Sequence, residues 1–171
     1  MPIQTMQDLL ADELAKLYTA ENQALQSYPQ ILEAASSPEL KQALQQHMDQ
    51  TQGQVQRLEQ IFQMLGQQPQ NKNVQAVQGL IADTQQLIQE GTPGPVLDAG
   101  LICAAQMIEH LEMAGYGSAR TFAVEIDQDD IGELLQQTLD EEIQTDRNLT
   151  LLAESRINQQ AESAPAGAAA A

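Results

Sequence analysis

The sequence predicts an all-α protein, and three observations support that class. Hydrophobic residues make up 42% of the 171 residues, whereas aromatic residues make up only 3% and tryptophan is absent. A core built mainly from Leu, Ile, Ala and Met suits the packing of helices. Alternating runs of Val, Ile and Thr, from which a sheet would be built, are scarce. Long stretches carry apolar residues at helical spacing instead, so we expect one helical domain with a substantial core.

The first two long helices are predicted to form a hairpin. The first helix begins where Thr5 and Asp8 supply a capping acceptor and an acid. Ser37 is a suitable N-cap and Pro38 a suitable first residue for the second helix, which should extend to about Leu65. The break between the helices is short, so they should pack antiparallel.

A long connection separates this hairpin from a second one. The stretch GQQPQNKN predicts a loop, a short amphipathic helix follows over about residues 74–90, and GTPGP ends it. The second hairpin consists of helices over roughly residues 96–125 and 129–158. A connection of this length allows a lengthwise crossover between the two hairpins, and the ferritin-like bundle has one such crossover.

The sequence therefore predicts a ferritin-like four-helix bundle whose long crossover contains an extra short helix. The bundle should occupy residues 1–160. Residues 161–171 form an Ala-rich, low-complexity tail that we expect to be disordered.

Charge excludes several functions. Seven Lys and Arg against 24 Asp and Glu give a formal net charge of −17, which argues against binding to nucleic acid or to anionic membranes.

No apolar run approaches the roughly 20 residues of a membrane span. The N-terminal segment lacks the basic region of a secretory signal, and the single cysteine, Cys103, allows no intrachain disulfide. These features predict a cytoplasmic protein.

Carboxylates interrupt the apolar helical faces. Glu21 lies within the face of the first helix, Glu109 and Glu112 within that of the third, and Glu142 and Asp146 within that of the fourth. An ionised carboxylate taken out of water costs several kcal/mol unless a cation meets it. Because Lys and Arg are few, metal ions are the partners that we expect.

Counting residues from each turn predicts that these carboxylates converge. Glu21 should lie level with Gln50, whereas Glu109 and Glu112 should lie level with Asp146. Carboxylate-bridged di-iron and di-manganese bundles use one Glu on each of two helices and Glu-x-x-His on the other two. Here the second helix offers His47 without a carboxylate in its stripe, and the fourth helix offers acids without a His. Such oxygen-rich ligation suits one or two Fe or Mn ions per chain.

Four segments resemble the YciE/YciF-type ferritin-like stress proteins of bacteria. They read TAENQAL, HMDQTQGQVQRLEQIF, AAQMIEHLEMAGYGSAR and TLDEEIQTDRNLTLLAE, and the resemblance covers about residues 5–155. It implies a homodimer of four-helix bundles, each with a crossover helix and a rubrerythrin-like metal site at its centre.

The resemblance also implies a set of site residues. Those that match acidic positions or neighbours of the family site are Glu21, His47, Glu109, Glu112, Tyr116, Glu142 and Asp146. Family members commonly read HLEET where this chain reads HMDQT, so Gln50 replaces a carboxylate. A neutral amide supplies no charge, and the occupancy of a second metal position is thereby called into question.

Each metal assignment has an ordinary alternative. Glu21 would also be stable as a buried acid that accepts a hydrogen bond from the hydroxyl of Tyr18 or Tyr116, and His47 as a satisfied core residue. At the level of function, the first hypothesis is a metalloprotein that reacts with peroxide or oxygen in stress protection. The second is a non-catalytic dimeric stress or scaffold protein with a degenerate metal site. Iron storage in a cage is a third, for which the sequence offers no cage contacts.

Overall fold

The computed structural model describes residues 3–164, and within that range it contains helices and no strand. The five main helices are α1 Met6–Ala34, α2 Pro38–Met64, α3 Gln75–Glu90, α4 Pro95–Glu125 and α5 Asp129–Leu152. A π-helical segment, Ala153–Ile157, continues α5 into the short helix α6, Asn158–Glu162. The all-α prediction is confirmed.

The first two helices begin at the predicted capping residues. The N–H of Asp8 donates to Oγ1 of Thr5 at 3.1 Å, and the N–H of Thr5 donates to Oδ2 of Asp8 at 3.0 Å. Ser37 caps α2 by accepting from the N–H of Leu40 at 3.3 Å, and Pro38 takes the first helical position. These contacts satisfy N–H groups that have no partner within the helix.

The topology is that of a ferritin-like bundle. α1 packs on α2 and α4, and α5 packs on α4 and α2, so the four long helices form a ring. α3 lies against α4 and α1 on the outside and carries the chain back, so that α4 runs parallel to α2. The predicted crossover with its extra helix is confirmed.

Two apolar clusters fill the two ends of the bundle. Large members of the first cluster are Tyr28, Ile31, Leu40, Leu44, Leu97, Leu101, Ile102, Leu149 and Ile157. Large members of the second cluster are Leu10, Leu14, Leu17, Leu58, Ile61, Phe62, Tyr116, Ile131 and Leu135. Every long helix contributes to both clusters. The residues between the two clusters on each helix therefore meet at the centre, in what we call the polar layer.

Asp98 fixes the relative height of the two hairpins. This α4 residue is 2% exposed, and its carboxylate accepts the N–H of Ser36 at 2.7 Å and that of Ser37 at 2.8 Å. It thus ties the start of α4 to the turn between α1 and α2. Hydrogen bonds to a buried carboxylate are strong, and they keep the carboxylates of α1 and α4 at matching levels.

The last helix extends to Glu162, slightly past the predicted domain boundary at residue 160. Residues 165–171, which make up most of the predicted disordered tail, lie outside the described residues. Over residues 3–164, none of the helices combines the length and the apolarity that crossing a membrane requires.

Candidate metal centre

Four buried glutamates dominate the polar layer, and we call them the acidic quartet. They are Glu21 of α1, Glu109 and Glu112 of α4, and Glu142 of α5, and each is at most 1% exposed. α2 contributes His47, which is 4% exposed. The structure therefore buries five of the residues predicted as ligands in one central layer.

Three of these residues form a compact donor group. Nε2 of His47 lies 2.8 Å from Oε1 of Glu109 and 3.9 Å from Oε2 of Glu142. One donor atom from each of the three residues lies within 4.8 Å of the other two. Divalent ions bind such atoms at about 2.0–2.2 Å, so donors around one ion are roughly 3–4 Å apart. Small side-chain shifts would bring the group to that geometry.

Several donor atoms of the layer have no aligned hydrogen-bond partner. They are Nε2 of His47, both carboxylate oxygens of Glu109, Oε1 of Glu112, Oε2 of Glu142 and Oε1 of Gln54. The contact between His47 and Glu109 is short, but it is not aligned as a hydrogen bond. Buried polar atoms are nearly always paired. This concentration of unpaired oxygens around one nitrogen fits a bound cation or a proton shared between Glu109 and Glu142.

The orientation of His47 is constrained by its neighbours. Oγ1 of Thr145 lies 3.4 Å from Nδ1 of the ring. The ring of Tyr28 packs against it edge-on, with centroids 5.5 Å apart and planes at 90°. Contacts at the far side of a ligating imidazole commonly set the direction of its other nitrogen. Here they direct Nε2 toward Glu109.

A second set of contacts holds Glu142. The side-chain amide of Gln54 donates to Oε1 of Glu142 and, at 3.2 Å, to Glu141. Arg57 in turn donates to both oxygens of Glu141, at 3.0 and 2.9 Å. Gln54 is fully buried. Its position on the side of α2 that carries His47 follows from the sequence, because seven residues separate the two, but its contact with Glu142 does not.

The remaining members of the quartet lie toward the second apolar cluster. The hydroxyl of Tyr116 donates to Oε1 of Glu21, which is one of the two contacts expected for a buried acid at that position. Tyr18, the other expected partner, donates instead to Glu59 at 3.2 Å. Glu112 has an unpaired buried oxygen.

Two predicted ligands lie apart from this donor group. Gln50 is half-buried, makes no hydrogen bond to the acidic quartet within residues 3–164, and lines a cavity between α2 and α5. Its position is rotated by about 60° from that of His47 on α2. Asp146 accepts from Gln106 at 2.9 Å and lies 3.2 Å from Nε2 of the exposed His110. Its carboxylate therefore faces the side of α4 that carries these two residues.

Burial favours the protonated forms of the quartet. Burial, aided by the charge of Glu142, raises the pKa of Glu21 to about 8, and burial raises the pKa of Glu109 to about 7. Burial and the charge of Glu21 raise the pKa of Glu112 well above its ordinary value. Burial and the adjacent carboxyl of Glu109 do the same to the pKa of Glu142. Without a cation, the layer therefore retains protons near neutral pH.

A layer of buried carboxylates and one histidine, at the centre of a bundle with a long crossover, is the arrangement of the ferritin-like class of helical proteins. The sequence comparison agrees with this class. The chain belongs to the family described as a domain of unknown function, DUF892, whose profile matches residues 5–162.

Two relatives cover most of the chain. Protein YciF of Escherichia coli strain K12 is 34% identical over 163 residues, which are 95% of this chain and 98% of that protein. The crystal structure of that E. coli stress protein matches with a TM-score of 0.87 at 33% identity, over 92% of this chain and 99% of the other. YcfI from Rhodopseudomonas palustris, described as a candidate structural protein, matches with a TM-score of 0.84 at 39% identity, over 86% and 94% of the two chains.

A more distant structure supports the fold alone. It is a two-domain protein from Anabaena variabilis with a DJ-1/ThiJ/PfpI-like domain and a ferritin-like domain. The TM-score is 0.69 at 15% identity, and the match covers 98% of this chain and 42% of that one. The predicted resemblance to YciF-type ferritin-like proteins is thus confirmed.

Proposed function

We propose that this chain is a metal-binding stress protein that holds one or two iron or manganese ions in its polar layer and reacts with peroxide or oxygen. One observation carries the proposal. The donor atoms of His47, Glu109 and Glu142 converge within 4.8 Å, deep inside the bundle, and some of them have no hydrogen-bond partner.

Neutralisation of the quartet is the central physical requirement. Within residues 3–164, His47 is the only basic side chain within salt-bridge distance of these four carboxylates. The nearby Arg57 is engaged with Glu141. Buried carboxylates without a counter-charge must either take up protons or bind a cation. A divalent ion would neutralise two of them at once.

The donor set favours particular ions. Carboxylate oxygens with one imidazole suit Fe and Mn better than soft metals, which prefer sulfur ligands. When bound, such an ion supplies Lewis acidity and redox chemistry toward an oxidant. The protein supplies the rest: Glu109, Glu142 and His47 bind, Gln54 orients Glu142, and the apolar clusters keep bulk water away.

A second ion would have to use the other half of the quartet. Glu112 offers an unpaired oxygen, and Glu21 would share its carboxylate with the Tyr116 hydroxyl. Among residues 3–164, no histidine lies within salt-bridge distance of either carboxylate, and Gln50 does not replace the missing carboxylate. We therefore expect the His47 position to bind more tightly than the second position.

The proposal includes a homodimer, as the family resemblance implies, in the cytoplasm, as the residue composition predicts. Sedimentation velocity of the purified protein tests the oligomeric state, and a monomer at micromolar concentration would contradict that part.

The competing function is a scaffold whose layer is satisfied by protons. Two observations favour it: Tyr116 already donates to Glu21, and the amide of Gln54 already donates to Glu142. The relative described as a candidate structural protein is also compatible with this alternative. Under the scaffold hypothesis, adding metal should leave the stability of the protein unchanged.

Metal loading distinguishes the two functions. Protein purified without a metal-binding tag is incubated anaerobically with Fe(II) or Mn(II), desalted and measured by elemental analysis. We expect about one to two ions per chain and a higher melting temperature than in chelator, because a ligand bound only to the native state stabilises it.

A pair of matched variants completes that experiment. Glu109→Gln should abolish uptake at the His47 position, whereas Glu133→Gln, which removes an exposed acid of α5, should load normally. Normal loading of Glu109→Gln, or no loading of the unmodified protein, would contradict the proposal.

A further inference from the structure

A cavity of about 280 Å³ lies between α2 and α5, and we call it the α2–α5 cavity. Its floor includes His47 and Thr145. Its other lining residues are mainly amides and aliphatic side chains: Gln42, Ala43, Leu44, Gln46, Gln50, Asn148, Leu149 and Leu152. Gln42, Gln46 and Asn148 are exposed, so the cavity opens to solvent.

His47 connects this cavity to the polar layer. The Nδ1 side of the ring faces Thr145, which also lines the cavity, whereas Nε2 faces Glu109 and Glu142. A solute at the cavity floor is therefore separated from the donor group by the thickness of a single imidazole. No member of the acidic quartet lines the cavity itself.

The wall of the cavity is close to electrically neutral. Among the described residues, Glu39 at the rim is the only ionisable lining residue other than His47, and its carboxylate pairs with Arg156 at 2.8 Å. Amide groups can both donate and accept hydrogen bonds, and the aliphatic side chains between them do neither. In a chain with a net charge of −17, this wall lacks the unpaired carboxylates that would attract a cation. It suits a small, uncharged, hydrogen-bonding molecule.

The volume limits the size of that molecule. Water occupies about 30 Å³ per molecule in the liquid, and ligand pockets for drug-sized molecules begin at about 300 Å³. The α2–α5 cavity thus admits a solute of up to roughly ten heavy atoms, or a smaller solute together with some water. Hydrogen peroxide meets the requirements of size, neutrality and hydrogen bonding.

We propose that the α2–α5 cavity is the route by which a small uncharged oxidant of the peroxide class reaches the His47 side of the polar layer. The identity of the oxidant rests on the proposed function, whereas the route itself can be tested without metal. Gln50 then acts as a wall residue that keeps the route uncharged.

The two histidines of the chain make the route measurable. Diethyl pyrocarbonate is a small uncharged reagent that acylates imidazole nitrogen, and peptide mapping by mass spectrometry separates His47 from His110. His110 has a 65% exposed side chain on another face and serves as the internal control. We expect His47 in the metal-free protein to react despite its low exposure.

Plugging the cavity tests the assignment. Gln46→Trp places a large side chain at an exposed position of the wall, and Gln52→Trp makes the same change at an exposed α2 position that does not line the cavity. Gln46→Trp should slow the labelling of His47 at least about tenfold and leave the labelling of His110 unchanged. If the reagent instead reached His47 through local opening of the bundle, Gln46→Trp would not change the labelling rate. Gln52→Trp should change neither rate.

A charge variant tests the chemistry of the wall. In a Cys103→Ser background, Thr145→Cys places a single thiol at the floor of the cavity. The rates at which this thiol reacts with a neutral and with a cationic methanethiosulfonate are measured. The same two rates are then measured in a variant that also carries Gln50→Glu. The unmodified protein, in which the exposed Cys103 is the reacting thiol, is the reference: its preference between the two reagents reports the electrostatic effect of the net charge of the protein. Relative to Cys103, the floor thiol should favour the neutral reagent, and Gln50→Glu should shift the preference toward the cation.

The outcomes separate this inference from the proposed function. Labelling of His47 that the plug does not slow, or a floor thiol at position 145 that the neutral methanethiosulfonate does not reach in the folded protein, would overturn the access route. If the floor thiol prefers the cationic reagent as strongly as Cys103 does, the inference that the cavity selects an uncharged solute is wrong. Protection of His47 by added Mn(II) is a separate arm: its failure counts against metal binding and leaves the route intact.

Discussion

Nε2 of His47 approaches Oε1 of Glu109 to 2.8 Å, although the two atoms are not aligned as a hydrogen bond. The two residues lie on α2 and α4, which run parallel and are separated in the chain by the whole crossover. Two electron-pair donors held this close, away from water, are stable only when a proton or a cation lies between or beside them. Which of the two it is decides between the proposed metalloprotein and a proton-satisfied scaffold.

The metal-free protein should lose stability as the pH rises. In the native state, burial raises the pKa of Glu109 to about 7 and that of Glu21 to about 8, from an ordinary 4.5. A carboxyl whose pKa is raised on folding contributes stability that is complete below the ordinary pKa and disappears as the pH passes the native one. Urea unfolding in chelator should therefore show a falling free energy of unfolding between about pH 4.5 and 8.

Metal binding should show the opposite trend over the same window. Each coordinating carboxyl must lose its proton, so the affinity for Mn(II) should rise from pH 5 to about 8. Titration calorimetry in several buffers would also detect the released protons. An affinity independent of pH would contradict the assignment of Glu109 as a ligand.

Tyr116→Phe should destabilise the metal-free protein by about 1–3 kcal/mol, because it leaves a buried carboxyl without its donor. The hydroxyl of Tyr116 lowers the pKa of Glu21, so its removal should also move the pH dependence to higher pH. Denaturant unfolding at several pH values measures both effects. Tyr18→Phe is the matched control, since its partner Glu59 is only half-buried and its loss should cost less.

Arg57→Gln should weaken metal binding about tenfold without touching a ligand. Arg57 holds Glu141 through two hydrogen bonds, and Glu141 shares the Gln54 amide with Glu142. Arg57→Lys should rescue little, because an ammonium cannot reproduce the two-pronged contact. Arg147→Gln is the control, because it removes the same positive charge from an exposed position of α5. Equal affinities for Arg57→Gln and Arg147→Gln would show that this chain of contacts does not position Glu142.

Asp98→Ala should cost about 2–3 kcal/mol of stability, because it leaves two backbone N–H groups without a charged acceptor. The N–H groups belong to Ser36 and Ser37, at the turn between α1 and α2. Thermal unfolding against Asp83→Ala, an exposed acid of α3, measures the effect. A loss no larger than that of the control would mean that the apolar clusters alone set the relative height of the hairpins.

Much of the fold could be predicted because its signals are local. Ser37 with Pro38, the GTPGP stretch and the Thr5–Asp8 pair each act within one helical turn, and each ends or begins a helix where predicted. The acidic quartet was predictable for a related reason: a charged residue within an apolar helical face is anomalous in the sequence itself.

The exact donor group depended on longer-range geometry. Gln50 and Gln54 are one helical turn apart on α2, and both are neutral amides close to His47 in the sequence. Rotation by 100° per residue places Gln54 nearly in line with His47 and Gln50 about 60° away, but the face that meets α5 is set by packing. Asp146 illustrates the same limit, because Gln106 and His110 of α4 bind its carboxylate from outside the layer.

The sequence by itself determined the helical class, the limits of the helices, the crossover and the burial of four glutamates, since these follow from periodicity, breakers and composition. Only the tertiary structure decided that His47 meets Glu109 and Glu142, that Gln54 replaces Gln50 beside them, and that Gln50 lines an open cavity. Those relationships depend on the rotation and height of each helix against its neighbours. Such rotations are set by the packing of the two apolar clusters and by Asp98, which acts between segments distant in the chain.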